Sequence, residues 1–115
     1  MATSSVSVKV ITWEGFPAVE KASAFKDQLM AAFSESAQVV LSVSMLEGMD
    51  LSIIQLLKAA AAEAVLQGKA FHLTGTVKSE FAHTLLVSGF IHRISDNARE
   101  IEADLFGSPA SPKEN

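Results

Sequence analysis

The amino-acid sequence predicts an α/β domain: a small, mainly parallel or mixed sheet of about four strands with helices packed on it. Three observations predict it. Short apolar runs recur around residues 6–13, 39–43 and 70–74, each too short for a helix. Between them, apolar residues fall at helical spacing, and glycine or proline stands at most junctions. The resulting order β-α-β-α-β-α calls for parallel strands joined by right-handed crossovers.

The elements follow in order. Val6, Val8 and Val10 alternate with Ser7 and Lys9 and lead into Ile11, Thr12 and Trp13, a strand with a period-two face. Glu14-Gly15-Phe16-Pro17 stops it. From Val19 to Phe33 the period becomes helical: Ala22, Phe25, Leu29, Ala32 and Phe33 share one face, opposite Lys21, Lys26, Asp27 and Gln28. After Ser34-Glu35-Ser36, the run Val39, Val40, Leu41, Val43 reads as a strand covered on both faces. Met45–Met49 is expected to be a loop, and Asp50 the N-cap of a helix from Leu51 to about Leu66. Ile53, Leu57, Ala60, Ala61 and Ala64 give that helix a narrow face of mostly small residues, and Gln67-Gly68 ends it. Ala70–Thr74 is the third strand. A helix near Lys78–Val87 follows and ends at Gly89, then a short extended Phe90-Ile91, then a helix near Asp96–Phe106. Residues 1–5 are expected to be a flexible N-terminus, 6–106 one domain, and the proline-broken 107–115 a disordered tail.

The 115 residues suit one domain, and 49% hydrophobic content supplies a core. A formal net charge of −4 lacks the basic footprint of a phosphate-backbone binder or of a polybasic membrane anchor, so neither nucleic acid nor lipid is the expected partner. With no cysteine there is no disulfide, thiolate nucleophile or cysteine metal site. Met1–Ser5 has neither the basic nor the apolar region of a signal peptide. Ile53–Leu66 is too short and too often interrupted to span a bilayer, so the cytoplasm is the expected location.

Chemistry is sparse. His72, His83 and His92 sit at no metal-binding spacing, and no cofactor is expected; His83 and His92 read as surface residues and His72 as a hydrogen-bonded residue at the core edge. No serine has the glycine frame of a nucleophile elbow, and Gly68, Gly75 and Gly89 form no phosphate loop. Glu100, Glu102 and Asp104 read as a solvated helix face. Trp13 and the seven phenylalanines read as core. By elimination the chain is expected not to be an enzyme.

One succession of segments carries more. Val39-Val40-Leu41-Ser42-Val43-Ser44 leads through a loop to Asp50-Leu51-Ser52-Ile53-Ile54-Gln55-Leu56-Leu57. Gln67-Gly68-Lys69-Ala70-Phe71-His72-Leu73 and Leu85-Leu86-Val87-Ser88-Gly89-Phe90 follow. This order resembles the STAS domain, the family of bacterial anti-sigma factor antagonists and their relatives, and Gly15–Ala22 looks like the family's entry into its first helix. The resemblance implies a STAS-like fold and a non-enzymatic signal-transduction module. Its partner would be a regulatory serine/threonine kinase or an anti-sigma factor, and it would be phosphorylated at a helix start. By position Asp50 matches the motif aspartate and Ser52 the phosphoacceptor, whereas Leu51 and Ile53 replace a serine and a glycine. Glu47, Gly48, Met49, Asp50, Leu51, Ser52 and Ile53 are the partner-binding residues so implied. A phosphate in the first turn would meet unpaired N–H groups and the positive end of the helix dipole, and Ser52 is expected to be exposed.

Two other readings stand beside this one. STAS-like proteins also serve as constitutive subunits of transporter or lipid-trafficking complexes, gripping an ATPase without phosphorylation, and the apolar Leu51 and Ile53 suit such an interface. A ligand-sensing domain ranks last, for want of phosphate-binding glycines. The unpaired edge of a first strand also invites a homo-oligomer.

Overall fold

A computed structural model describes residues 7–106; the expected flexible N-terminus, Val6 and the expected tail lie outside them. In order the elements are β1 (Val8–Gly15), a 3-10 turn (Val19–Lys21), α1 (Ala22–Glu35), β2 (Gln38–Leu46), α2 (Leu51–Leu66), β3 (Ala70–Thr74), α3 (Ser79–Val87) and α4 (Ala98–Phe106). The sheet runs β1-β2-β3 and every pairing is parallel, with Val10 beside Val40 and Val40 beside His72.

Strands laid down in sequence order, each joined by a right-handed crossover, place both connecting helices on one face of the sheet. The burial pattern agrees. Ile11 and Trp13 of β1, Val39, Leu41 and Val43 of β2, and Phe71 and Leu73 of β3 are buried beneath α1 and α2. Their alternates form an open face: Val8, Val10 and Thr12 are exposed, and Val40, Ser42, Ser44, His72 and Thr74 are half-buried. β2 is therefore covered on one face, not two. Its apolar run reflects its central position in the sheet.

The core joins the layers through α1 and α2. Leu29, Ala32 and Phe33 of α1 and Ile53, Leu57, Ala60 and Ala64 of α2 are buried against the strands. Phe33 meets Phe71 edge-on at 5.5 Å, Phe71 stacks on Phe106 at 5.3 Å, and Trp13 stacks on Phe25 while its Nε1 donates to Gln28 Oε1. Lys69 Nζ donates to the Phe33 carbonyl and so ties the start of β3 to the end of α1.

Phe90-Ile91 forms no strand, so the described residues hold three strands instead of about four. Phe90 N and Ile91 N both donate back to Leu85 O, which makes the pair the C-terminal closure of α3, with Ile91 folded into the core. Nor are Glu102 and Asp104 merely solvated. Glu102, 16% exposed at its side chain, accepts from the Leu73 backbone N–H at 2.8 Å and contacts His72 Nδ1 at 2.8 Å. Asp104 accepts from the His92 backbone N–H at 3.0 Å, and that bond holds its carboxyl below the ordinary value of 3.8.

Glu102 thus docks α4 on the outer edge of β3. Glu102→Ala leaves the Leu73 N–H without its acceptor, an expected loss of about 1–3 kcal/mol in folding stability. The check is a urea unfolding midpoint together with amide exchange at Leu73, which is to accelerate relative to Phe71. Unchanged exchange at Leu73 would show that Glu102 does not hold this edge.

Candidate docking surface at the start of helix α2

The loop ends at the C-terminal side of the parallel strands converge on the start of α2. Glu47 N donates to Gly15 O at 2.8 Å and Asp50 N to Pro17 O at 3.0 Å, so the turn after β1 and the turn after β2 are bonded to each other. The Phe16 ring lies across Gly48 so closely that a Cβ there would come within 2.8 Å of it. β2 runs on through Met45 and Leu46, which leaves residues 47–50 as the connection, shorter than the expected loop.

Asp50 is the N-cap, with extended backbone (φ −70°, ψ 158°) and Oδ1 accepting from Leu51 N at 2.8 Å. Its backbone carbonyl starts the helix by accepting from Ile53 N and Ile54 N. Ser52 is half-buried, less open than the sequence suggests, because its Oγ folds back toward Asp50 Oδ2 at 3.4 Å. Met49 and Ile53 point into the core, Ile53 with 0% exposure, so they hold the turn from beneath. Glu47, Gly48, Asp50, Leu51 and Ser52 remain near the surface at one end of the sheet; the Gly48 backbone is buried under Phe16.

Around them lie side chains that sequence reasoning did not place here. Phe16 is 64% exposed, against the expectation that all seven phenylalanines are core, and Val19, Met45 and Leu51 are each more than half exposed. The signal was available for Phe16: a residue between Gly15 and Pro17 sits in a turn, where neither sheet nor helix supplies a packed neighbour. Lys78, before α3, reaches Glu47 at 3.2 Å and brings one cation to the rim; such an exposed pair contributes little to stability.

Elsewhere the chemistry is thin. Among the described residues no three His, Cys, Asp or Glu side chains converge as metal ligands, and His72, His83 and His92 lie apart. No helix among them is long and apolar enough to cross a membrane. A largely apolar groove of about 790 Å³ lies at the other end of the sheet, between the end of α2, the start of β3 and α4, with Lys69, His72 and Glu102 at its polar side.

Comparison with known proteins places this arrangement. Residues 4–95, well over half the chain, match the family model described as "Mlab, STAS domain". No curated protein matches the chain. Among solved structures, one described as "Crystal Structure Analysis of Mglu" superposes with a TM-score of 0.52 at 17% identity, over 57% of this chain and 17% of that one. The chain therefore spans less than a fifth of that protein, and the likeness concerns the fold of the shared part. The order of elements, the helix opening at Asp50 and Ser52, and a family match over most of the length agree: the chain belongs to the STAS domain family.

Proposed function

We propose that the chain is a non-enzymatic protein-interaction module that docks a partner on the surface formed by Phe16, Val19, Met45, Glu47 and the start of α2. The observation that carries this reading is that Phe16, Val19, Met45 and Leu51, all apolar and more than half exposed, lie in the turns, the strand end and the helix start at the same end of the sheet as Ser52. Exposed apolar side chains among polar ones are an ordinary mark of an interface.

Two forms of the reading differ in how the partner is released. In the first, the partner is a regulatory serine/threonine kinase or an anti-sigma factor, and phosphorylation of Ser52 ends the contact. A phosphate brings about −1.5 to −2 charge beside the exposed Leu51 and next to the Asp50 carboxylate. In the second, the module is a permanent subunit that contacts an ATPase of a transporter or lipid-trafficking complex. The half-buried Ser52 hydroxyl, engaged with Asp50, and the exposed Leu51 beside it favour this second form, since a kinase needs an open hydroxyl and a lasting interface needs apolar area.

The test compares the tagged wild type with Leu51→Glu and Ser52→Asp in native cells, identifying captured proteins by mass spectrometry and measuring the affinity of each. Leu51→Glu is expected to weaken the principal partner about tenfold or more, as loss of a central apolar contact does. An ATPase subunit as that partner, with no phosphate on the intact chain, supports the permanent subunit. A kinase or anti-sigma factor, lost also from Ser52→Asp, supports the switch. Equal binding by all three proteins would remove the surface from consideration.

A further inference from the structure

The chain treats the two outer edges of its sheet differently. In a parallel ladder, alternate residues of an edge strand turn both backbone N–H and C=O toward the neighbouring strand, and the rest turn them outward. Ser7 O and Gly15 O accept from Gln38 N and Glu47 N, so the odd-numbered residues of β1 face β2. Val8, Val10 and Thr12 consequently present their N–H and C=O groups outward. On β3 the parity is reversed, because Ala70 N donates to Ala37 O. There the outward Leu73 N–H is taken by Glu102, so α4 closes that edge. Among the described residues nothing pairs with the outer edge of β1.

The outward-bonding positions of that open edge carry no charge until Glu14; the strand's one lysine, Lys9, turns its backbone to β2 and its side chain to the other face, with Ile11 and Trp13. Val8, Val10 and Thr12 are β-branched and uncharged, all three side chains stand on the open face of the sheet, and Val10 is 63% exposed. No proline interrupts β1, and the ladder stays regular until the shift between Thr12 and Glu14. Proteins that remain single usually blunt such an edge with proline, several charges or a covering element, and between Val8 and Thr12 Lys9 alone stands against pairing.

We propose that β1 pairs antiparallel with β1 of a second copy of this chain, about a two-fold axis at Val10. A row of alternating donors and acceptors is matched by another extended backbone, and this edge is complementary to itself. With the axis at Val10, Val10 faces Val10 and Val8 faces Thr12. Every one of these pairs turns its backbone groups toward the other copy, giving about six hydrogen bonds and only β-branched side chains opposite one another. An axis further along the strand draws the irregularity after Thr12 and the Glu14 carboxylate into the pairing; one further back leaves fewer pairs. The contact is isologous, so it closes at two copies. It lies apart from the start of α2 and leaves that surface open in each copy.

The absence of cysteine makes the test direct, since a single introduced thiol has no other partner within the chain. Residues that exchange both hydrogen bonds in an antiparallel pair have Cα atoms about 5.5 Å apart, inside the range of about 4.4–6.8 Å that a disulfide spans. Oxidised Val10→Cys is therefore expected to form a covalent dimer. Val8→Cys and Thr12→Cys are each expected to remain uncrosslinked, and the Val8→Cys/Thr12→Cys double variant to crosslink. By sedimentation the wild-type chain is expected to show a concentration-dependent dimer that Val10→Pro abolishes, because that proline removes only an outward N–H. Should Val10→Pro fail to fold, Val10→Lys makes the same test with a charge on the exposed face. A wild type that stays monomeric up to millimolar concentration overturns the proposal, as does a dimer that survives these variants or an oxidised Val10→Cys that does not crosslink.

Discussion

Phe33→Ala is expected to cost the domain a large share of its stability, while Phe16→Ala leaves that stability nearly unchanged. Phe33 is 1% exposed at the end of α1, edge-on to Phe71 of β3, and the Phe71 ring in turn stacks on Phe106 of α4. Truncation removes the most deeply buried ring of that chain and opens a cavity that close-packed neighbours cannot fill, a cost of about 3–5 kcal/mol. Domains of this size are stable by only about 5–15 kcal/mol, so the loss takes between about a fifth and all of that stability. Phe16 covers Gly48 from the solvent side and buries little of itself, and a surface truncation of that kind shifts stability by about 0.5 kcal/mol at most. Urea unfolding of both variants, followed by circular dichroism, makes the comparison. Similar losses from the two would contradict the division between a core phenylalanine and a surface one. A stable Phe16→Ala that no longer holds its partner would further tie that ring to docking.

The division was only partly legible in the sequence. The bounds of α2 and β3 could be read directly, because local chemistry sets them: Asp50 caps one end, Gln67-Gly68 turns the chain, and Phe71 and Leu73 then alternate with polar residues. Which face of each strand is covered could not. β1 carries apolar side chains on both faces, Val8 and Val10 on one, Ile11 and Trp13 on the other, and only the position of α1 and α2 decides between them. The same ambiguity makes the central run of β2 read as doubly covered. Glu102 shows the limit from the polar side. Its helical spacing reads as solvated, yet an edge strand with an outward N–H, and no further strand beside it among the described residues, gave that carboxylate a partner. At the candidate site the motif residues Asp50 and Ser52 were found from their order along the chain, whereas Phe16, Val19 and Met45 join them only through the hydrogen bonds linking the two turns.

The second large effect is expected at Gly75, where the end of β3 meets the docking end of the sheet. Its φ of +103° is open to glycine and strained for any other residue, and a Cβ built there runs into Ser44 Oγ. Ser44 cannot move away without loss, because its hydroxyl accepts from Thr76 N at 3.0 Å. The Gly75 carbonyl meanwhile accepts from Ala98 N, and Thr76 bridges Asn97, so a shift of this turn also disturbs the entry to α4. Backbone strain of about 1–3 kcal/mol and an overpacking cost of about 1–3 kcal/mol together set the expected loss for Gly75→Ala. At about 4 °C per kcal/mol, the melting temperature is to fall by roughly 8–24 °C. Adding Ser44→Ala separates the two causes. It removes the hydroxyl that the new methyl group strikes, so the double variant should be more stable than the sum of the single losses, a coupling that contacting residues show and distant ones do not. Strict additivity would leave backbone strain alone as the cause, and would mean that Ser44 and Gly75 do not press on one another in the folded chain.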